Sequence, residues 1–219
     1  MKMRTIRVTG KGQIKVHPDM TRITITLQGI YKEYTDALMH SSMDTEALQA
    51  VLSEFGFART DLKTLRFDID THYESYKNIK GYFQQKLIGY RFNHVLKVEF
   101  ESDNAKLGKI LYALAHCKIN PEFRISYTVK DPEAVKNTLL GKSVTDAKEK
   151  AAVLTQAAGI ALKDIQTIDY SWGRIEFETR PIEELALTQC LPSPSSYSLA
   201  IEPDDIEVSD TVTVVWEIG

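Results

Sequence analysis

The sequence predicts an α+β fold: an antiparallel sheet built from two strand–helix–strand–strand repeats, with the helices packed on one face. Three observations carry this. Several stretches alternate apolar and polar residues with a period of two, the pattern of half-buried strands. Between them lie segments with helical spacing, the clearest at residues 132–158. Finally, two helix exits match without a gap: Gly56-Phe57-Ala58-Arg59-Thr60-Asp61-Leu62-Lys63-Thr64-Leu65 against Gly159-Ile160-Ala161-Leu162-Lys163-Asp164-Ile165-Gln166-Thr167-Ile168. The repeats fall at about residues 20–101 and 123–218 of a single 219-residue domain.

Taken in order, residues 4–9 read as a strand and Gly10-Lys11-Gly12 as a turn or bulge. A third glycine and an immediate helix are missing, so this is no dinucleotide loop. Ile23, Ile25 and Leu27 alternate with Thr24, Thr26 and Gln28 in a second strand. A helix over 34–55 follows, with Leu38, Leu48, Val51, Leu52 and Phe55 apolar and Gly56 as its stop. Leu65, Phe67 and Ile69 open a strand that runs to Tyr76. After a tip at 77–81, a longer partner carries Tyr90, Phe92, His94, Leu96, Val98 and Phe100 on one face, predicting a long antiparallel hairpin. Ser102 or Asp103 caps a short helix, and Phe123, Ile125, Tyr127 and Val129 form the next strand.

Asp131 and Pro132 then start the longest helix, as N-cap and first residue. Leu140, Val144, Ala147, Ala151, Leu154 and Ala158 form its apolar stripe. Much of that stripe is alanine, which favours close approach to a sheet. Residues 165–172 give a strand. Residues 174–204 are irregular, with a short helix from Pro181, and Val208, Val212, Val214, Trp216 and Ile218 mark the last strand.

A chain of this length buries roughly 70% of its extended surface and needs no staples. Its composition, 43% hydrophobic and 26% charged, is that of a soluble globular protein. The net charge of −3 lacks the basic excess of a nucleic-acid protein. Cys117 and Cys190 are able to pair, but two cysteines fit a reduced compartment better than a disulfide scaffold. No apolar run has membrane-span length, and the basic N-terminus has no apolar h-region behind it. The expectation is a cytoplasmic protein, the alternative being periplasm or cell surface if a signal peptide has been removed.

The pattern Val8-Thr9-Gly10-x-Gly12, then Pro18-Asp19 and a Thr/Ile strand, resembles the start of SIMPL-domain proteins. The helix exit through Gly56, Asp61 and Thr64 fits too. The most specific match is Asp146-Ala147-Lys148-x-Lys150-Ala151, followed by Leu154 and Ala157-Ala158-Gly159. The closing Ile201-Glu202-Pro203-x-x-Ile206-x-Val208 also agrees. The resemblance spans nearly the whole chain. It implies a mostly bacterial family named for a mammalian signalling molecule that associates with a pelle-like kinase. Many members are exported to the periplasm or cell surface and some are linked to oxidative stress. It carries over no catalytic residue.

For chemistry, Asp68, Asp70, His72 and Glu74 share one strand face, a row of metal-ligating residue types. The competing reading is cross-strand pairing with Arg91 and Lys97. His116-Cys117 lacks a second ligand pair for zinc. Asp61, Thr64, Asp164 and Thr167 are explained as turn-holding side chains, and His94 as a hydrogen-bonded core histidine. No nucleophile elbow occurs, no catalytic residue is assigned and no cofactor is expected. Tyr73, Tyr76, Tyr82, Phe83 and Tyr90 interleave with Lys77, Lys80 and Lys86 around the hairpin tip. This suits an interface, because a projecting hairpin leaves apolar surface to be covered. The leading expectation is a non-enzymatic, self-associating interaction protein: a homo-oligomer, with an unknown protein partner as a further option. The alternatives are a metal-assisted enzyme using Asp68, Asp70, His72 and Glu74, and a single-stranded nucleic-acid binder through hairpin 73–90.

Overall fold

The computed structural model describes residues 4–77, 81–170, 177–179 and 202–219. Among these lie seven strands and three helices: β1 (Thr5–Val16), β2 (Met20–Tyr31), α1 (Tyr34–Ser53), β3 (Lys63–Lys77), β4 (Phe83–Glu101), α2 (Asn104–His116), β5 (Glu122–Thr128), α3 (Pro132–Ala157), β6 (Leu162–Asp169) and β7 (Ile206–Ile218). The fold is α+β with antiparallel pairing, and the strands divide into two sheets ordered β3-β4-β2-β5 and β1-β7-β6. The expected helix at Pro181, together with Trp172, Cys190, Ser193 and Lys80, lies outside the described residues.

The chain forms two compact units. One comprises Met20–Tyr127 with Arg180–Glu202. Its sheet turns Ile23, Ile25 and Leu27 of β2 and Phe92, Leu96, Val98 and Phe100 of β4 to one side, since alternate strand residues share a face. Leu48 and Leu52 of α1, and Leu107, Ile110, Leu111 and Leu114 of α2, close over that side to make a single core. Asp103 caps α2, its carboxylate accepting the Ala105 and Lys106 N–H groups at 2.9 and 3.0 Å. Beyond α1 the chain turns through Gly56 at φ +83°, a left-handed conformation that glycine adopts without steric cost. Asp61 holds the turn by accepting the Ala58 N–H at 2.8 Å.

The other unit comprises Met1–Asp19, Thr128–Thr179 and Pro203–Gly219. Here β1 and β7, from opposite ends of the sequence, pair residue for residue from Thr5↔Glu217 to Val16↔Ile206. Gly10-Lys11-Gly12 is not the expected turn but continuous strand. The glycines serve a different purpose. A Cβ at Gly10 would lie 2.0 Å from the Ser143 carbonyl oxygen, and one at Gly12 would lie 2.3 Å from that of Leu139. Two positions without side chains let α3 lie almost on the backbone of β1.

Asp131 caps α3, accepting the Ala134 N–H at 2.9 Å, with Pro132 in the first turn. Its buried row is Leu139, Ser143, Ala147, Ala151 and Thr155, spaced by fours; of the expected stripe, Ala147 and Ala151 belong to it, Leu140 and Val144 pack beside it half-buried, and Leu154 and Ala158 are exposed. Leu154 is 52% exposed. Ser143 and Thr155 tolerate burial because their hydroxyls donate to carbonyls one turn back, at 3.0 and 2.8 Å. The close approach expected from the alanines is present, at Ala147 and Ala151 against Val8, Val212, Val214 and Trp216.

Candidate functional site

Asp68, Asp70, His72 and Glu74 do share one face of β3, opposite Asn93, Arg91, Gly89 and Lys86 of β4. The strand spaces them but does not converge them. Alternate residues lie roughly 6.5–7 Å apart, and the neighbouring strand contributes cations and an amide rather than further ligands. The Arg66 guanidinium is hydrogen-bonded to Asp68. Among the described residues, no group of three or more His, Cys, Asp or Glu side chains is arranged to hold a metal ion. Cys117 is tied locally, its thiol donating to the Leu114 carbonyl at 2.9 Å.

The hairpin is as long as expected, and its outer part is exposed from Tyr73 to Lys77 and from Phe83 to Ile88. The register Tyr73↔Leu87, Ser75↔Gln85 and Lys77↔Phe83 extends the side that faces the helices nearer the base. No described helix covers that side at the tip. Tyr82 is 70% exposed and Phe83 74%. Tyr76 faces the other way and donates its hydroxyl to Gln84 at 3.0 Å. The Lys77 ammonium sits 5.1 Å from the centre of the Phe83 ring. Tyr90 separates from the other four: it lies at the hairpin root, half-buried and edge-on to Tyr34.

A third arrangement was not anticipated. Between α1 and the root of β3 is a groove of about 390 Å³, with His94 among its lining residues. A bulge at Leu65 shifts the register from Thr64↔Leu96 to Arg66↔Val95, which brings Thr64 and Phe67 to the same side. Leu65, expected on the apolar face, is instead 53% exposed. Thr64 therefore does not hold the turn after Gly56. Its hydroxyl meets His94 Nε2 at 3.0 Å, while Thr45 of α1 meets Nδ1 at 3.1 Å. Phe67 packs edge-on against the same ring, with centroids 5.0 Å apart. Burial pushes the His94 imidazole below its usual pKa, which favours the neutral ring. The expected hydrogen bonding of His94 is present, from two threonines, but the ring is half-buried at the groove rather than in the core. The signal in the sequence was a lone histidine on an apolar strand face.

The described residues define an α+β chain with antiparallel sheets and a glycine-bearing first strand under an alanine-rich helix. The chain belongs to the SIMPL family, described as proteins of unknown function (DUF541), whose model matches residues 6–216. It is similar to the 26 kDa periplasmic immunogenic protein of Brucella abortus (strain S19), 26% identical over 213 residues, covering 97% of this chain and 84% of that protein. The protein of the same name from Brucella melitensis biotype 1 is 25% identical with the same coverage. These names overturn the cytoplasmic expectation, since both similar proteins are periplasmic by name. A scarcity of cysteines is too indirect a sign to decide compartment.

The residues that carried the family resemblance serve architecture. Asp146 accepts the Lys11 backbone N–H and the Lys150 ammonium, each at 2.7 Å, and Ala147 and Ala151 are fully buried against the sheet.

Proposed function

We propose that this chain is a non-enzymatic, self-associating protein of the periplasm, whose subunits contact one another through the outer part of the β3–β4 hairpin. The observation that carries this reading is the exposure of Tyr73, Tyr82, Phe83 and Leu87 on a ribbon that no described helix covers. Aromatic residues presented this way gain most when covered by a partner surface. Among the described residues β3 is also the outer strand of its sheet, which leaves one edge of its backbone to pair with a second chain. Glu74, Lys77 and Lys86 interleave with the apolar residues, a mixed pattern that a second copy can complement. The periplasmic placement draws on the names of the similar Brucella proteins.

The test is the solution mass of the full chain against a variant in which residues 75–85 are replaced by a two-residue turn. Self-association through the hairpin requires a smaller particle for the variant by light scattering. An unchanged mass refutes it.

A further inference from the structure

The groove between α1 and β3 has features that self-association does not use. Its apolar surface comes from Leu38, Leu62, Phe67 and Leu96. Arg59 and Glu46 line it with opposite charges. Among the described residues, neither side chain makes a hydrogen bond or an ion pair. Oppositely charged side chains at one apolar groove, each without a partner among the described residues, leave two recognition points.

The hydrogen bonds at the floor define a third. Thr45 donates its hydroxyl proton to the Ser41 carbonyl at 2.7 Å. A carbonyl only accepts, so the proton of Thr45 is committed there, and Thr45 Oγ1 accepts from His94 Nδ1–H. In the neutral ring Nε2 then carries no proton and accepts from the Thr64 hydroxyl. The chain of bonds Thr64→His94→Thr45→Ser41 runs in one direction. Thr64 Oγ1 is left with lone pairs alone to offer a ligand. The groove therefore presents acceptors at Thr64 and Glu46, a planar cationic donor at Arg59, and apolar surface.

We propose that this groove binds a small zwitterion with an apolar body: an α-amino acid with an aliphatic or aromatic side chain, or a short peptide of such residues. The ligand ammonium is taken by Glu46 and Thr64. Its carboxylate is taken by the Arg59 guanidinium, whose fork matches a carboxylate. Its side chain lies against Phe67, Leu62 and Leu38. The volume is at the small end of ligand sites, suited to one or two residues rather than a polymer.

The experiment is calorimetric titration of the full chain with L-leucine, L-phenylalanine and L-leucyl-L-leucine, and with N-acetyl-leucine amide as an uncharged control. The expected result is saturable binding of at least one zwitterion and none of the control. Tighter binding of leucine or phenylalanine identifies free amino acids as the source, and tighter binding of the dipeptide identifies peptides. Arg59→Gln and Glu46→Gln, both at exposed positions, should each weaken binding at least about tenfold with an unchanged unfolding midpoint. Thr64→Val should weaken it as well, through loss of the acceptor. Absence of saturable heat with all three zwitterions up to about 10 mM overturns the proposal, as does wild-type affinity in both charge variants.

Discussion

The Gly12 backbone N–H donates to the Ser143 hydroxyl at 2.9 Å, whose one proton is shared between the Leu139 carbonyl at 3.0 Å and the Asp210 carbonyl of β7 at 3.1 Å. One serine on a helix thus ties together two strands that are far apart in sequence. Ser143 is fully buried, so a side chain there without a hydroxyl strands a buried donor. Ser143→Ala should cost about 1–3 kcal/mol, measured by denaturant unfolding. An unchanged midpoint would show that the donor finds another partner.

Gly12→Ala tests the same contact from the strand side. Its new Cβ would lie 2.3 Å from a helix carbonyl oxygen, a contact that only backbone movement can relieve. The expected loss is about 1–3 kcal/mol, the range for overpacking. Gly141→Ala is the control: its Cβ meets nothing within 4 Å, and helix propensity there favours alanine.

Asp146 gives a pH signature. Its carboxyl is held below the ordinary value of 3.8, first by the hydrogen bond from Lys150 and then by the Lys11 N–H. A lowered carboxyl pKa contributes stability that is present above the unfolded value and lost as pH falls through the folded one. Subtracting the unfolding midpoints of Asp146→Asn from those of wild type should leave a difference that shrinks below about pH 4. A pH-independent difference would contradict the assignment.

His94 has the opposite chemistry and the same sign. Burial lowers its pKa from the ordinary 6.5. Between the folded and unfolded values the unfolded chain binds more protons, so stability rises with pH across that window and levels off above about 6.5. An NMR titration of the ring protons should place its midpoint below that of a free imidazole, and His94→Gln should flatten this part of the stability profile. A midpoint at or above 6.5 would mean that the two threonine hydroxyls do not enclose a neutral ring.

At the hairpin, Phe83→Ser and Tyr73→Ser should shift the association equilibrium towards smaller species in sedimentation velocity, with little change in subunit melting. Both side chains are more than half exposed in the single chain and contribute little to its core. Loss of melting temperature without a change in mass would assign them to folding instead.

What the sequence makes legible is the local grammar. The Asp131 cap, the Pro132 start, the left-handed glycines at 56 and 159 and the alternation along β2 and β4 involve residues near one another in the chain. What it hides is set by distant partners. Gly10 and Gly12 look like a break until α3, which begins only at Pro132, arrives to occupy the space they leave. Ser143 and Thr155 look like surface residues until their hydroxyls are seen bonded to the helix backbone. The groove at His94 needs the bulge at Leu65, because Thr64 and Phe67 would lie on opposite faces of a regular strand. No periodicity announces a one-residue slip.

The pairing of β1 with β7 also constrains the order of assembly. Every residue from Thr5 to Val16 waits for a partner between Ile206 and Glu217, which a ribosome makes roughly 200 residues later. The stretch Met20–Tyr127 carries its own core and can consolidate early, whereas the first strand remains an unsatisfied ribbon until β7 has been made. Removing either β1 or β7 would therefore orphan the other, and a nascent chain halted before β7 would expose a strand edge in want of a neighbour.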